Sequence, residues 1–95
     1  APDCPFAGWE IVPLPGGAAG ESAWICPERS LVVFGDAVVN LSGRGLELLP
    51  DRYCTDPVAL RHSLRRLVRR PFDHAVFAHG MPLLGAASRQ IAALL

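Results

Sequence analysis

Two residues in this chain have types and surroundings that could do chemistry. Asp36 closes the run Leu31-Val32-Val33-Phe34-Gly35-Asp36, and His79 closes Ala75-Val76-Phe77-Ala78-His79-Gly80. Each apolar run ends in one side chain able to bind a metal ion or move a proton. A glycine beside each lets the chain turn sharply enough to aim that side chain across a sheet edge. A structural zinc site uses four protein ligands and a catalytic one three, so a carboxylate and an imidazole alone form an incomplete site. Each residue also has an ordinary reading. An aspartate after a strand caps its own turn, and a histidine at a strand end hydrogen-bonds to its neighbours.

The elements that must bring them together follow from periodicity. Asp56-Pro57 supplies an N-cap acceptor and a proline at the first helical position, and Leu60, Leu64, Leu67 and Val68 recur at helical spacing up to Pro71. Strand, helix, strand is the unit whose two strands run parallel. Asp36 and His79 are therefore expected at the same edge of one sheet, at the carboxyl ends where open α/β sheets place ligands.

The rest of the chain completes that sheet. Residues 9–14 predict a first strand, broken at Pro15-Gly16-Gly17-Ala18-Ala19-Gly20, where the backbone must turn tightly. Residues 22–26 and 31–34 flank a polar four-residue connection and predict an antiparallel hairpin. Because Leu31 to Phe34 is apolar at every position, it is expected to be covered on both faces as a central strand. Residues 40–55 read as a long loop with a short strand at Leu46–Leu49. Pro82 to Leu95 reads as a terminal helix with Leu84, Ala87, Ile91 and Leu94/Leu95 on one stripe. The expected class is α/β with a mixed sheet, in the order β-β-β-(loop)-α-β-α, over a single domain spanning residues 1–95.

Composition limits the partners. The nine basic residues, all arginine, balance nine acids, so neither nucleic acid nor an anionic membrane is expected as an obligate partner. Arg61, Arg65, Arg66, Arg69 and Arg70 read as the solvated face of the helix, with the last turn favouring the negative end of its dipole. Cys4, Cys26 and Cys54 form no C-x-x-C pair and are too few for a disulfide framework, which fits a reducing, cytoplasmic setting and buried, inert thiols. There is neither a signal peptide pattern nor an apolar run of about 20 residues. The chain begins without an initiator Met, so a segment removed upstream is expected.

Hydrophobic residues make up 51% of the chain, although a domain this small buries only about 60–65% of its unfolded surface. One sheet and two helices cannot hide that supply, so part of one face is expected to need another surface. A homodimer is one solution and a missing piece of a larger domain is another. Trp24 and Phe34 are the expected aromatic anchors of that contact.

The order of segments resembles the C-terminal half of a metallo-β-lactamase-fold domain, in a divergent branch. In that superfamily a Pro-Gly-His turn, a hairpin, a strand ending in Gly-Asp, a helix, a strand ending in His-Gly and a terminal helix follow one another. The matching stretches here are Pro15-Gly16-Gly17, Gly35-Asp36 and His79-Gly80. By resemblance Asp36 is the carboxylate that bridges two metals and His79 the last histidine ligand. Two departures stand out. The H-x-H-x-D-H motif of the N-terminal half is absent, and Gly17 replaces the histidine of the turn.

The resemblance therefore implies half of an αββα sandwich with a vestigial or incomplete metal site at Asp36 and His79. Such a chain would serve as an assembly or binding module, not catalytic by itself and with no cofactor expected when alone. The alternative is the C-terminal part of a metal-dependent hydrolase whose N-terminal half supplies the remaining ligands for zinc or another divalent metal.

Overall fold

The structure, a computed structural model, describes residues 8–95; Cys4 and the N-terminal Ala-Pro-Asp-Cys-Pro segment lie outside them. Seven strands and two α-helices follow in the order β1 (Glu10–Pro13), β2 (Ser22–Cys26), β3 (Leu31–Phe34), β4 (Val38–Leu41), β5 (Gly45–Leu48), α1 (Pro57–Val68), β6 (His74–Phe77), β7 (Leu83–Leu84) and α2 (Ala87–Ala92). A five-stranded mixed sheet runs β1-β2-β3-β6-β7, and β4 and β5 form a separate two-stranded ribbon. β3 lies at the centre, antiparallel to β2 and parallel to β6, with Phe34 opposite Phe77.

The strands alternate. Ala23, Ile25, Val32, Phe34, Ala75 and Phe77 are buried in one cluster with Leu60, Leu64 and Leu67 of α1 and Ile91 of α2. Phe34 stacks on Phe77 with ring centroids 5.7 Å apart. Ile11, Trp24, Val33 and Val76 stand side by side in register on the opposite face. That face is only partly covered, with Val76 39% exposed. Two expectations are thereby corrected. β3 is central but sealed on one side only, because both helices pack on the same face of the sheet. Phe34 belongs to that sealed core and cannot anchor a partner on the Trp24 face.

Helix α1 starts as its sequence dictates. Asp56 accepts a hydrogen bond from the Ala59 amide at 3.1 Å, and Pro57 takes the first turn. The turn after β1 is docked on this helix end. Thr55 donates to the Gly17 carbonyl through both its amide (3.1 Å) and its hydroxyl (3.0 Å), the Asp56 amide donates to the Gly16 carbonyl at 3.0 Å, and Ser63 Oγ donates to the Pro15 carbonyl at 3.0 Å. A Cβ on Gly16 would sit 2.3 Å from Asp56 O and Leu60 N, at a φ of +99°. No other residue permits that approach.

Two further segments differ from expectation. The β4–β5 hairpin begins at Val38, two residues before the expected loop at 40–55, and runs into it to Leu48, so strand structure is more extensive than a lone strand at Leu46–Leu49. Leu46 and Leu48 pack against the main core from this ribbon. The terminal helix is short, because Gly85 (φ +100°) and Ala86 (φ +51°) are both left-handed and interrupt the pattern that begins at Pro82. Leu84 consequently lies on β7, 79% exposed, while Ala87 and Ile91 keep their buried stripe.

Candidate functional site

Parallel pairing of β3 with β6 sends both strands out of the sheet at one edge, and the residues just beyond them meet. His79 Nε2 lies 3.1 Å from Asp36 Oδ1. The side chains are 64% and 52% exposed, so solvent screens the pair and it adds little to stability. Its significance is positional, since the two sequence-predicted ligands are brought together on neighbouring strand ends.

Each member is braced by a residue that the sequence did not single out. On the Asp36 side, Glu21 Oε1 accepts the amide of Ala37 at 2.8 Å, fixing the peptide that follows Asp36. On the His79 side, Asn40 of β4 does comparable work. Its amide donates to the His79 carbonyl at 3.3 Å, its carbonyl accepts from the Met81 amide at 2.8 Å, and its Nδ2 donates to the Met81 carbonyl at 2.8 Å. Gly80 permits this contact. At φ +108°, a Cβ there would lie 2.0 Å from Asn40 O. The glycine after His79 was the available signal for a close backbone approach, but nothing local identifies Asn40 as the partner.

Two donors 3.1 Å apart suit one metal ion, because adjacent ligand atoms around an ion with bonds of about 2.0–2.2 Å lie roughly 3 Å from each other. A carboxylate oxygen and an imidazole nitrogen also match the donor chemistry of iron and zinc. The pair thus fits as two ligands of a centre that needs more. Among the described residues, no group of three or more His, Cys, Asp or Glu side chains comes together to hold a metal ion. Gly17, at the position where the resemblance places a ligand, is buried and brings only backbone, its carbonyl already used by Thr55.

The other candidates lie elsewhere. Arg70 donates through its two terminal guanidinium nitrogens to the two carboxylate oxygens of Glu10 of β1, and this hydrogen bonding holds the Glu10 carboxyl below its ordinary range. Arg61 reaches Asp51 at 4.0 Å, and Arg65 donates to the Leu95 carbonyl at 3.3 Å. Cys26 is buried and Cys54 half-buried, both as free thiols. Burial, with the nearby Asp51 charge, pushes the Cys54 thiol up, away from the reactive thiolate.

No protein-family profile and no curated protein matches the sequence. Solved structures do. The di-iron-bound form of TTHA1623 superposes with a TM-score of 0.65 at 31% identity, over 85% of this chain and 39% of that one. The metallo-beta-lactamase family protein TTHA1429 from Thermus thermophilus gives 0.62 at 26% identity, over 90% of this chain and 28% of that one. This chain therefore spans well under half the length of either. Within the described residues, no helix is long and apolar enough to cross a membrane.

Proposed function

We infer that this chain, whose fold is that of the metallo-β-lactamase family, is a C-terminal half domain, residues 1–95 forming one unit that is not catalytic by itself. In this reading it is an assembly module that carries two ligand positions, Asp36 and His79, of a metal centre it cannot complete. The observation carrying the reading is the combination of a paired Asp36 and His79 with a backbone-only Gly17. Two oxygen and nitrogen donors at an exposed edge hold a dication weakly, since affinity rises with ligand number and with a rigid, shielded shell.

A second reading, a hydrolase completed by residues outside this chain, is favoured by the spacing of the pair and by its dedicated supports at Glu21 and Asn40. A metal bound there would supply Lewis-acid polarisation or an activated water for hydrolysis. Asp36 and His79 would hold it, and Glu21 and Asn40 would keep them in place. The di-iron-bound form of one structural neighbour makes iron a metal to test beside zinc and manganese.

Elemental analysis of the protein purified without chelator separates the two. The first reading expects substoichiometric metal in the 95-residue chain, and one tightly held equivalent would overturn it. For the second, the chain is joined to whatever coding sequence lies upstream. Asp36→Ala should then abolish metal retention and hydrolysis of esters, thioesters or lactones without altering the circular dichroism spectrum. Retained turnover in that variant would remove Asp36 from the site.

A further inference from the structure

We propose that Glu21 is the positioning residue for Asp36, its side chain packed closely against two glycines, Gly17 and Gly35. The proposal rests on the reading of Asp36 and His79 as the ligand-bearing pair. Glu21 starts from a fixed base. Its amide donates to the Ala18 carbonyl at 3.0 Å and its carbonyl accepts from the Leu14 amide at 2.9 Å, so its Cα is held by the end of the tight turn. From there the side chain crosses to the outgoing end of β3 and receives the Ala37 amide at 2.8 Å. Sixteen residues separate the two, so this is a tertiary strut and not a local turn bond.

The flanking glycines define the space it occupies. A Cβ on Gly35 would lie 3.1 Å from Glu21 Oε1 and 3.4 Å from Oε2, and a Cβ on Gly17 would lie 3.1 Å from Glu21 Cγ and 3.2 Å from its Cβ. Gly35 does not need its glycine for a left-handed backbone, since φ is not positive there. A methyl there would crowd the carboxylate, which would have to shift by a few tenths of an ångström. Gly17 makes room for the stem in the same way. The residue that removes a side chain from the turn and the residue that grips the Asp36 peptide are thus one packing arrangement. With the Ala37 N–H bound to a carboxylate, rotation of the peptide between Asp36 and Ala37 is restrained, which favours the backbone orientation from which Asp36 meets His79. Charge-assisted bonds of this kind are shorter and roughly twice as strong as neutral ones.

The test uses uniformly ¹⁵N-labelled, metal-free protein. It reads the Ala37 amide exchange rate and the His79 Nε2 nitrogen shift, which reports the bond to Asp36. Glu21→Ala should speed Ala37 exchange at least tenfold and move the His79 signal to the value found in Asp36→Ala. Glu21→Gln, which keeps the acceptor oxygen, should leave both near wild type. Gly35→Ala, which leaves Glu21 in the sequence but sets a methyl against its carboxylate, should reproduce Glu21→Ala with helix α1 resonances unchanged. An unmoved His79 signal in Glu21→Ala, or a Gln variant as perturbed as the Ala variant, would overturn the proposal. Zinc, iron and manganese titrations of the upstream-extended protein form a separate arm. Failure to bind there removes the ligand reading, whereas the role of Glu21 is decided by the metal-free spectra.

Discussion

At the level of single residues, the glycines around the site have different reasons for being there. Gly80 combines a left-handed backbone with a carbonyl where its Cβ would be, so any substitution must displace Asn40 and with it the hairpin that braces His79. Gly80→Ala is expected to lower unfolding free energy by about 2–4 kcal/mol, the range of strained-backbone and broken-network substitutions. Gly43, at φ +79° with open space around it, is the control. Its change to Ala meets only the left-handed penalty of about 1–2 kcal/mol, partly offset by a stiffer unfolded chain. Urea denaturation of the two variants checks the difference. Equal losses would show that the contact with Asn40 contributes nothing to stability.

At the level of elements, β1 is tied to the turn that follows α1 by the Glu10–Arg70 pair, and this tie is sensitive to acid. Glu10 titrates lower in the folded protein than in the unfolded chain because Arg70 hydrogen-bonds its charged form. The unfolded state therefore binds more protons through the carboxylate range. The pair's contribution is complete above the ordinary carboxylate pKa and is lost as pH falls through the depressed folded value. Both side chains keep substantial exposure, 51% for Arg70 and 33% for Glu10, which limits the effect to about 1 kcal/mol or less. Thermal unfolding from pH 7 to pH 3 should show Glu10→Gln less stable at neutrality and converging on wild type in acid. A constant gap would place the difference elsewhere. The same elements mark what the sequence could disclose. Asp56-Pro57 and the leucine spacing located α1, and the two apolar runs located β3 and β6 with their parallel pairing and shared edge, because those signals are local. Glu21, Asn40 and the Glu10–Arg70 tie join residues 16, 41 and 60 positions apart, and no local pattern encodes such partners. The terminal helix is shorter than its apolar spacing predicts because left-handed Ala86 carries no sequence signature, unlike the glycine before it.

For the molecule as a whole, the decisive feature is the asymmetry of the sheet. Both helices lie on one face, while Ile11, Trp24, Val33 and Val76 form an apolar row on the other, with Leu84 exposed near the β7 edge. Val76 and Leu84 support the half-domain reading more directly than composition does, because they place exposed apolar surface at a defined location on that face. A standard interface buries about 800 Å² per partner, and about 1,600 Å² at roughly 25 cal/mol/Å² is a gross term near 40 kcal/mol, of which association entropy and imperfect polar pairing leave only a surplus. Either a missing N-terminal half or a second copy could cover the exposed Val76 and Leu84, and for the chain alone the second copy is the available solution. Light scattering coupled to size exclusion at micromolar concentration should find a species near twice 10.2 kDa. Val76→Glu, at a position already 39% exposed, should shift it to monomer without loss of helix content. A wild-type chain that elutes as a 10.2 kDa monomer and binds no hydrophobic dye would mean the row needs no partner, and the half-domain reading would fall with it.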